Sequence, residues 1–433
     1  MNYKESIDYL YKCAPMFQNI GAGAYKAGLQ NTMSLDEHFG HPHKKFRSIH
    51  IGGTNGKGSC SHMLASILQE SGYTVGLYTS PHLLDFRERI RVNGNMISED
   101  YVTRFIESER SFFEPLHPSF FELATAMAFK YFADCGVDVA VIEVGLGGRL
   151  DCTNIITPEL SIITNISKDH TNLLGKSKRE IAYEKAGIIK RGRPVVIGES
   201  DKVTRDVYES KAGPLKSRIV YAESERNITD YRIYPDGKIG VVLPWFKVLY
   251  CPLGGMYQSK NINTVLCSVK LLQKRFPNIT ESTVERGIEN VVVNTGLQGR
   301  WQCIRQIPRV YCDTGHNVGG FEYLSQQLKH QQCKSLRIVI GMVNDKDING
   351  VLSLLPKKAK YYFCQASVSR ALESIKLKKL ASSFELDGES YPSVELAYKE
   401  ALADSSDDDF IFVGGSTFVV ADLLRLEQLK EEI

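Results

Sequence analysis

The sequence predicts an α/β protein of two domains, each a mostly parallel sheet covered by helices. Short β-branched runs, apolar on both faces, alternate with amphipathic segments, which is how a parallel sheet buried under helices reads. That alternation occurs twice, on either side of the glycine-containing segment Asn294–Arg300. The length, 433 residues, also exceeds what one ordinary core sustains.

After an N-terminal helical stretch, Ser48–Gly52, Thr74–Thr79, Val137–Gly145 and Leu160–Ile166 read as strands. Phe120–Phe132 and Lys178–Lys190 read as two of the covering helices. From Ile228 to Leu253 the pattern changes to short strands with the turn signal Pro235-Asp236-Gly237, a small antiparallel section. Helices over Gln258–Lys274 and Thr280–Val291 then complete a first domain, residues 1–296. Within the second, residues 297–433, strands are expected at Arg309–Asp313, Leu336–Val343, Tyr361–Gln365 and Asp409–Val413, each followed by a helical pattern.

Composition narrows the function classes. Hydrophobic residues at 43%, charged residues at 24% and a net charge of +3 are ordinary for a globular protein, and nothing demands nucleic acid or a membrane. The basic runs His41–Arg47 and Lys176–Arg179 are short and read as solvated faces. Ten cysteines lack Cys-x-x-Cys spacing, and no apolar run approaches the roughly 20 residues of a membrane span. A cytoplasmic protein with free thiols is expected.

Residues 49–59 read Ile-His-Ile-Gly-Gly-Thr-Asn-Gly-Lys-Gly-Ser, a strand entering a glycine-rich turn before the periodic segment Ser61–Glu70. Such a turn aims backbone N–H groups and a helix's positive end at an anion, and Lys57 adds a point charge. A nucleotide phosphate is the expected occupant. The spelling departs from the strict P-loop, with Ile51 at the first required glycine and Gly58 ahead of the Ser59 hydroxyl. Ser80 follows a strand, where open parallel sheets hold ligands, and either offers its hydroxyl to a metal or caps the turn before Pro81. Glu143 ends the apolar run Val141-Ile142, and a buried carboxylate requires a cation or strong donors. His170 sits beyond the next strand, as a structural residue or a second metal-site residue. A hydroxyl, a carboxylate and an imidazole suffice for Mg²⁺, which keeps several waters.

Taken in order, Gly53–Ser59, Thr79–Leu83, Glu143–Asp151, Asp169-His170, Glu184–Lys190, Gly299-Arg300, Asp313-x-x-His316-Asn317, Gly341-Met342 and Asp345–Asp347 resemble folylpolyglutamate synthase and dihydrofolate synthase, and through them the Mur ligases. The resemblance runs through nearly the whole chain. It implies an N-terminal P-loop-containing domain and a C-terminal Rossmann-like glutamate ligase domain. The implied reaction joins L-glutamate to dihydropteroate, to reduced folates, or to both. A substrate carboxylate attacks the γ-phosphate of ATP, and the glutamate amine then displaces phosphate from the acyl phosphate.

Residue by residue, the resemblance implies ATP contacts at Thr54, Asn55, Gly56, Lys57, Gly58, Ser59, Asn261, Arg300, Asp313 and His316. It implies Mg²⁺ ligands at Ser80, Glu143 and His170, and dihydropteroate contacts at Ala27, Gly28, Leu29, Phe121, Glu122, Leu150, Asp151 and Cys152. Lys185 matches a lysine the family carries as a carbamate, so Lys57, Lys185 and His170 are the expected catalytic groups. A monomer using small-molecule substrates alone is expected. The alternatives are another Mur-like amide ligase, or a P-loop switch that ligates nothing. Two departures concern the nucleotide side: Asp313-Thr314-Gly315-His316-Asn317-Val318 for the usual Asp-Gly-Ala-His-Asn-Pro, and Tyr257-Gln258 for His-Gln.

Overall fold

The structure, a computed structural model, describes residues 1–13, 28–244 and 247–431. Two compact units emerge: Met1–Tyr231, Gly240–Pro252 and Gln258–Leu297 form the first, and Arg232–Ile239, Leu253–Tyr257 and Gln298–Ile433 the second. The two short excursions into the second unit differ from the pattern-based reading, which leaves them in the first domain. Glycines explain the difference. A Cβ on Gly237 would come within 2.7 Å of the Tyr311 ring, and one on Gly254 within 2.7 Å of Trp301. Both segments therefore press bare backbone onto an aromatic cluster distant in sequence, which no local periodicity signals.

The first unit is built on an eight-stranded sheet. Its strands are β1 (Arg47–Gly52), β2 (Val75–Tyr78), β3 (Ile90–Val92), β4 (Asn95–Met96), β5 (Val139–Glu143), β6 (Leu160–Ile163), β7 (Val195–Ile197) and β8 (Ile219–Tyr221). They lie in the order β4-β3-β2-β5-β1-β6-β7-β8. β2 through β8 run parallel along that order, while β3 and β4 add an antiparallel edge. β1 is therefore central, flanked by β5 and β6, and every residue of β5 is buried. In a parallel sheet all carboxyl ends share one edge, so the segments after β1, β2, β5 and β6 converge there.

Local signals place the covering helices. Phe120–Asp134 and Lys178–Ala186 each start with a capping box, Ser119 with Glu122 and Ser177 with Glu180. The second ends at Ala186 rather than running on to Lys190, because Gly187 meets Arg149 so closely that a Cβ would sit 2.3 Å from its Cα. The small sheet β9 (Asp230–Ile233), β10 (Ile239–Val242) and β11 (Val248–Cys251) has the order β11-β10-β9. Tyr234 N donates to Lys238 O across the turn at Asp236-Gly237.

The second unit holds β12 (Gln302–Gln306), β13 (Arg309–Asp313), β14 (Leu336–Ile340), β15 (Lys360–Cys364), β16 (Gly388–Tyr391) and β17 (Phe410–Gly414). The order is β12-β13-β17-β14-β15-β16, parallel except for β12. Trp301, Tyr311, Phe321, Phe363 and Phe412 anchor its core. Among the described residues no helix is long and apolar enough to cross a membrane.

Candidate active site

The glycine loop hangs between β1 and the helix Lys57–Glu70, whose N-cap is Gly56 in the left-handed region at φ 86°. It is stapled to the end of β6. Thr54 N donates to Asn165 O at 2.9 Å, Asn55 N to Asn165 Oδ1 at 3.0 Å, and the Thr164 hydroxyl to Asn55 O at 2.6 Å. Gly53, at φ 136°, passes so near Thr164 that a Cβ would lie 1.9 Å from its Oγ1. Two loop amides are thus spent on holding the loop. The first helical turn, from Lys57 to Ser59, supplies amides without intrahelical acceptors, with the helix's positive end behind them. Lys57 Nζ folds back onto Thr54 O at 3.0 Å. Ser59 is buried and accepts from Gln258 Nε2 at 3.1 Å, and Gln258 accepts in turn from Asn261 at 2.8 Å. Asn261 also packs on Gly56, where a Cβ would sit 2.3 Å from its Oδ1. Gly53→Ala is expected to destabilise the protein by about 2–4 kcal/mol and to raise the KM for ATP, through positive φ and the clash together. Thermal unfolding and initial rates check both.

Around the loop, strand ends place Ser80 and Glu143, and the end of the helix Lys178–Ala186 places Lys185. Glu143 closes β5 opposite Ile51 and is only 3% exposed. Its Oε2 accepts from Ser80 N at 3.2 Å, on the neighbouring strand's continuation. Lys185 is buried beneath the loop and donates to Gly53 O at 2.8 Å. Burial first, and Lys57 second, push its pKa down to about 7, against the opposing pull of Asp169 and Asp151. Gly148 lets the helix end carrying Lys185 approach, since a Cβ there would touch Glu184 O and Lys185 O at 3.0 Å. His170 lies after β6, left-handed at φ 50°, with its N donating to Asp169 Oδ1 at 2.8 Å and Nε2 3.9 Å from Asp169 Oδ2. Among the described residues no three His, Cys, Asp or Glu side chains converge as a metal cluster. A site of one carboxylate, one hydroxyl and one imidazole contains only two such residues.

The residues expected to face the pterin divide. Ala27 lies outside the described residues. Gly28 and Leu29 precede the helix Gln30–His38, with Leu29 at its N-cap. Phe121 lies against Gly145, where a Cβ would meet its ring at 2.4 Å, and 5.8 Å from the Tyr78 ring. Glu122 is buried and committed to the Ser119 capping box, accepting from Ser119 N at 2.6 Å. Leu150 is half-buried. Asp151 caps the short turn Cys152–Ile155, accepting from Thr153 N at 3.0 Å and from Leu146 N at 2.8 Å. Burial raises its pKa while those donors oppose the rise, and burial likewise lifts the Cys152 thiol.

Two residues beyond those expectations stand near this group. Arg89 is buried, donates to His82 Nδ1 at 2.7 Å, and lies over the Phe120 ring at 5.1 Å. His50, inside β1 and fully buried, has its pKa pushed down to about 3 by burial, with Lys190 contributing. Its Nε2 is 2.8 Å from Thr153 Oγ1, whereas Nδ1 has no partner among the described residues. An unpaired buried nitrogen costs about 1–3 kcal/mol, and a mid-strand position would otherwise suit valine or isoleucine.

In the second unit, Asp313 ends β13, is 3% exposed, and accepts from Tyr257 OH, Trp301 N (2.8 Å) and Gly315 N (2.7 Å). Burial raises its pKa despite the Tyr257 hydrogen bond and Arg300. The Trp301 contact fixes the turn that carries Arg300, whose guanidinium donates to Thr314 Oγ1 and to Gly299 O at 3.2 Å. Tyr257, which replaces the usual histidine, therefore shares the carboxylate that shapes this turn. His316 Nδ1 contacts Thr314 O at 3.0 Å, and Asn317 caps the helix Val318–Lys329.

Comparison with known proteins bears on the family and the fold. Residues 51–269 match the Mur ligase middle domain, and residues 299–417 the Mur ligase glutamate ligase domain. A dihydrofolate synthase/folylpolyglutamate synthase of Bacillus subtilis is 32% identical, covering 92% of this chain and 95% of its own. A probable bifunctional folylpolyglutamate synthase/dihydropteroate synthase of Haloferax volcanii is 33% identical over 98% of this chain, which spans half the length of that relative. Escherichia coli FolC in complex with DHPP and ADP superposes with a TM-score of 0.84 at 28% identity, over 100% and 99% of the two chains. A bifunctional folylpolyglutamate synthase/dihydrofolate synthase with Mn, AMPPNP and L-glutamate bound gives 0.80 at 26% identity, over 99% and 98%. Two Mur ligase domains in sequence and relatives matched almost end to end place this chain in the dihydrofolate synthase/folylpolyglutamate synthase family of Mur ligases.

Proposed function

We propose that this protein ligates L-glutamate to dihydropteroate, to the γ-carboxylate of reduced folates, or to both, at the expense of ATP and in the presence of Mg²⁺. The observation that carries the reading is the glycine loop braced by β6, with Glu143, Ser80 and Lys185 at the same sheet edge. The helix turn Lys57–Ser59 and the Lys57 ammonium hold the β- and γ-phosphates, while Thr54, Asn55 and Asn261 keep the loop in shape. Arg300, Asp313 and His316 are further nucleotide contacts in this reading, Asp313 by holding the Arg300 turn. Gly28, Leu29, Phe121, Glu122 and Leu150–Cys152 form the pteroate side, with Phe121 as the flat apolar surface for a ring.

Mg²⁺ fits two of the donors present, a buried carboxylate at a strand end and the Ser80 hydroxyl after the neighbouring strand, with waters completing its shell, and takes the His170 imidazole as a less usual third ligand. When bound it supplies charge that offsets the developing negative charge on the phosphates. Lys185 is suited to carry a carbamate. At a pKa of about 7 roughly half of its amine is neutral at neutral pH, far more than of an ordinary lysine. The neutral amine attacks CO₂, an N–C bond forms as one C=O π bond opens onto oxygen, and the N–H proton passes to solvent, leaving a carboxylate-like anion in place of the amine.

Purified protein is expected to release phosphate from ATP only with L-glutamate and a pteroate or folate both present, and to yield a glutamylated product by mass spectrometry. Running dihydropteroate and tetrahydrofolate side by side tells one activity from two. Turnover driven by UDP-muramoyl substrates would instead make it another Mur-like amide ligase, and hydrolysis without product a nucleotide switch.

A further inference from the structure

Asp151 is surrounded by donors from its own chain. Oδ1 accepts from Thr153 N at 3.0 Å and from the Thr153 hydroxyl, and Oδ2 from Leu146 N at 2.8 Å. Gly145, the neighbour of Leu146, lies against the Phe121 ring, where a Cβ would come within 2.4 Å. A carboxylate offers about four acceptor positions, and the Thr153 and Leu146 donors take three of them. With the residue only 4% exposed, its oxygens point into the fold.

The bonding pattern continues behind Thr153. The Thr153 hydroxyl donates its hydrogen to Asp151 Oδ1. Thr153 Oγ1 is then the acceptor in its 2.8 Å contact with His50, and the hydrogen lies on Nε2. His50 belongs to the central strand that feeds the nucleotide loop, and Leu146 and Gly145 belong to the turn after Glu143. Asn154, next in the chain, reinforces the turn by donating to Arg149 O at 3.0 Å and Gly187 O at 3.2 Å.

We propose that His50, Thr153 and Asp151 form a buried clamp that positions the Gly145–Leu146 backbone against the Phe121 ring. Asp151 thereby shapes the pteroate wall through its own chain, not through a carboxylate bond to substrate. This rests on the reading of Phe121–Glu122 and Leu150–Cys152 as that wall. His50 and Thr153 are positioning residues: neither touches substrate, and their effect passes through Leu146 and Gly145. The apolar alternative at position 50 would pack equally well but leave the Thr153 hydroxyl without its donor, and Asp151 with a weaker hold.

Steady-state kinetics with dihydropteroate, ATP and L-glutamate test the clamp, with melting temperature as the fold control. Thr153→Val is expected to raise the KM for dihydropteroate about tenfold, the loss of one charge-assisted hydrogen bond, and to leave the KM for ATP within about twofold. Thr153→Ser, which keeps the hydroxyl, restores the wild-type value. Asp151→Asn raises the same KM, and the double variant is no worse than Asp151→Asn alone, because both changes break one unit. A raised KM in Asp151→Asn with a normal one in Thr153→Val would mean that the carboxylate acts on substrate directly, which overturns the clamp and leaves the wall in place. Multiplying effects in the double variant, or equal shifts in both KM values, overturn it too. An unchanged KM in Asp151→Asn overturns the wall reading itself. Should Thr153→Val fail to fold, His50→Leu against His50→Gln, which keeps an N–H donor, makes the same comparison from the other end.

Discussion

Replacing Glu143 by alanine is expected to abolish turnover, lowering kcat by at least about 10³-fold, with the fold intact. The carboxylate lies 3% exposed at the end of a strand whose other residues are apolar and buried. Its Oε2 accepts from the backbone amide of Ser80 at 3.2 Å. A carboxylate buried at a strand end costs stability, so its removal is expected to leave the fold standing. Circular dichroism and the melting temperature should therefore stay close to wild type. Glu143→Gln keeps the acceptor for Ser80 and loses only the charge, so it should be nearly as inactive as the alanine variant, and calorimetric Mg²⁺ binding in the presence of a non-hydrolysable ATP analogue should vanish in both. Activity within about tenfold of wild type in Glu143→Ala would take this residue out of the reaction.

That prediction arises from a residue legible in the sequence, and the reason is local. Glu143 is the one charged group in Val139–Glu143, and Gly53–Ser59 is contiguous, so strand, turn and helix start can be recognised without a third dimension. The apolar runs at β1, β5, β6 and β13 are equally visible. Bracing is not. Gln258 meets Ser59 across 199 residues, Asn165 meets Asn55 across 110, and nothing at either end of such a pair encodes the other. β7 and β8, three residues each, are too short to show a period of two. His50 is hidden for a different reason. In Ile-His-Ile it reads as an incidental polar residue, and its importance depends on Thr153 approaching from another segment. The two excursions into the second unit are decided by Trp301 and Tyr311, which local pattern cannot link to Gly237 and Gly254.

Lys185 carries the other large effect, and here activity and stability should move in opposite directions. The unfolded chain holds a lysine proton up to about pH 10.4, while the folded amine, desolvated and facing Lys57, releases it near 7. Between those values the unfolded state binds the extra proton, so stability rises with pH across the window and the penalty is complete below about pH 7. Its upper bound is about 5 kcal/mol. Lys185→Met removes the amine, so it should be more stable than bicarbonate-depleted wild type at pH 6, by about 1–3 kcal/mol after the lost bond to Gly53 O, with the advantage fading towards pH 9. Turnover should nevertheless fall about 10³-fold or more. Carbamate formation reconciles the two, because it replaces a disfavoured buried ammonium with an anion and needs the neutral amine that the burial provides. Labelled bicarbonate should give a carbamate ¹³C resonance in wild type and none in Lys185→Met, and acetate should partly restore Lys185→Ala by supplying a carboxylate in the vacated space. A lysine variant with near-normal turnover, or wild-type activity indifferent to bicarbonate with no such resonance, would leave Lys185 as a buried brace for the Gly53 carbonyl and nothing more.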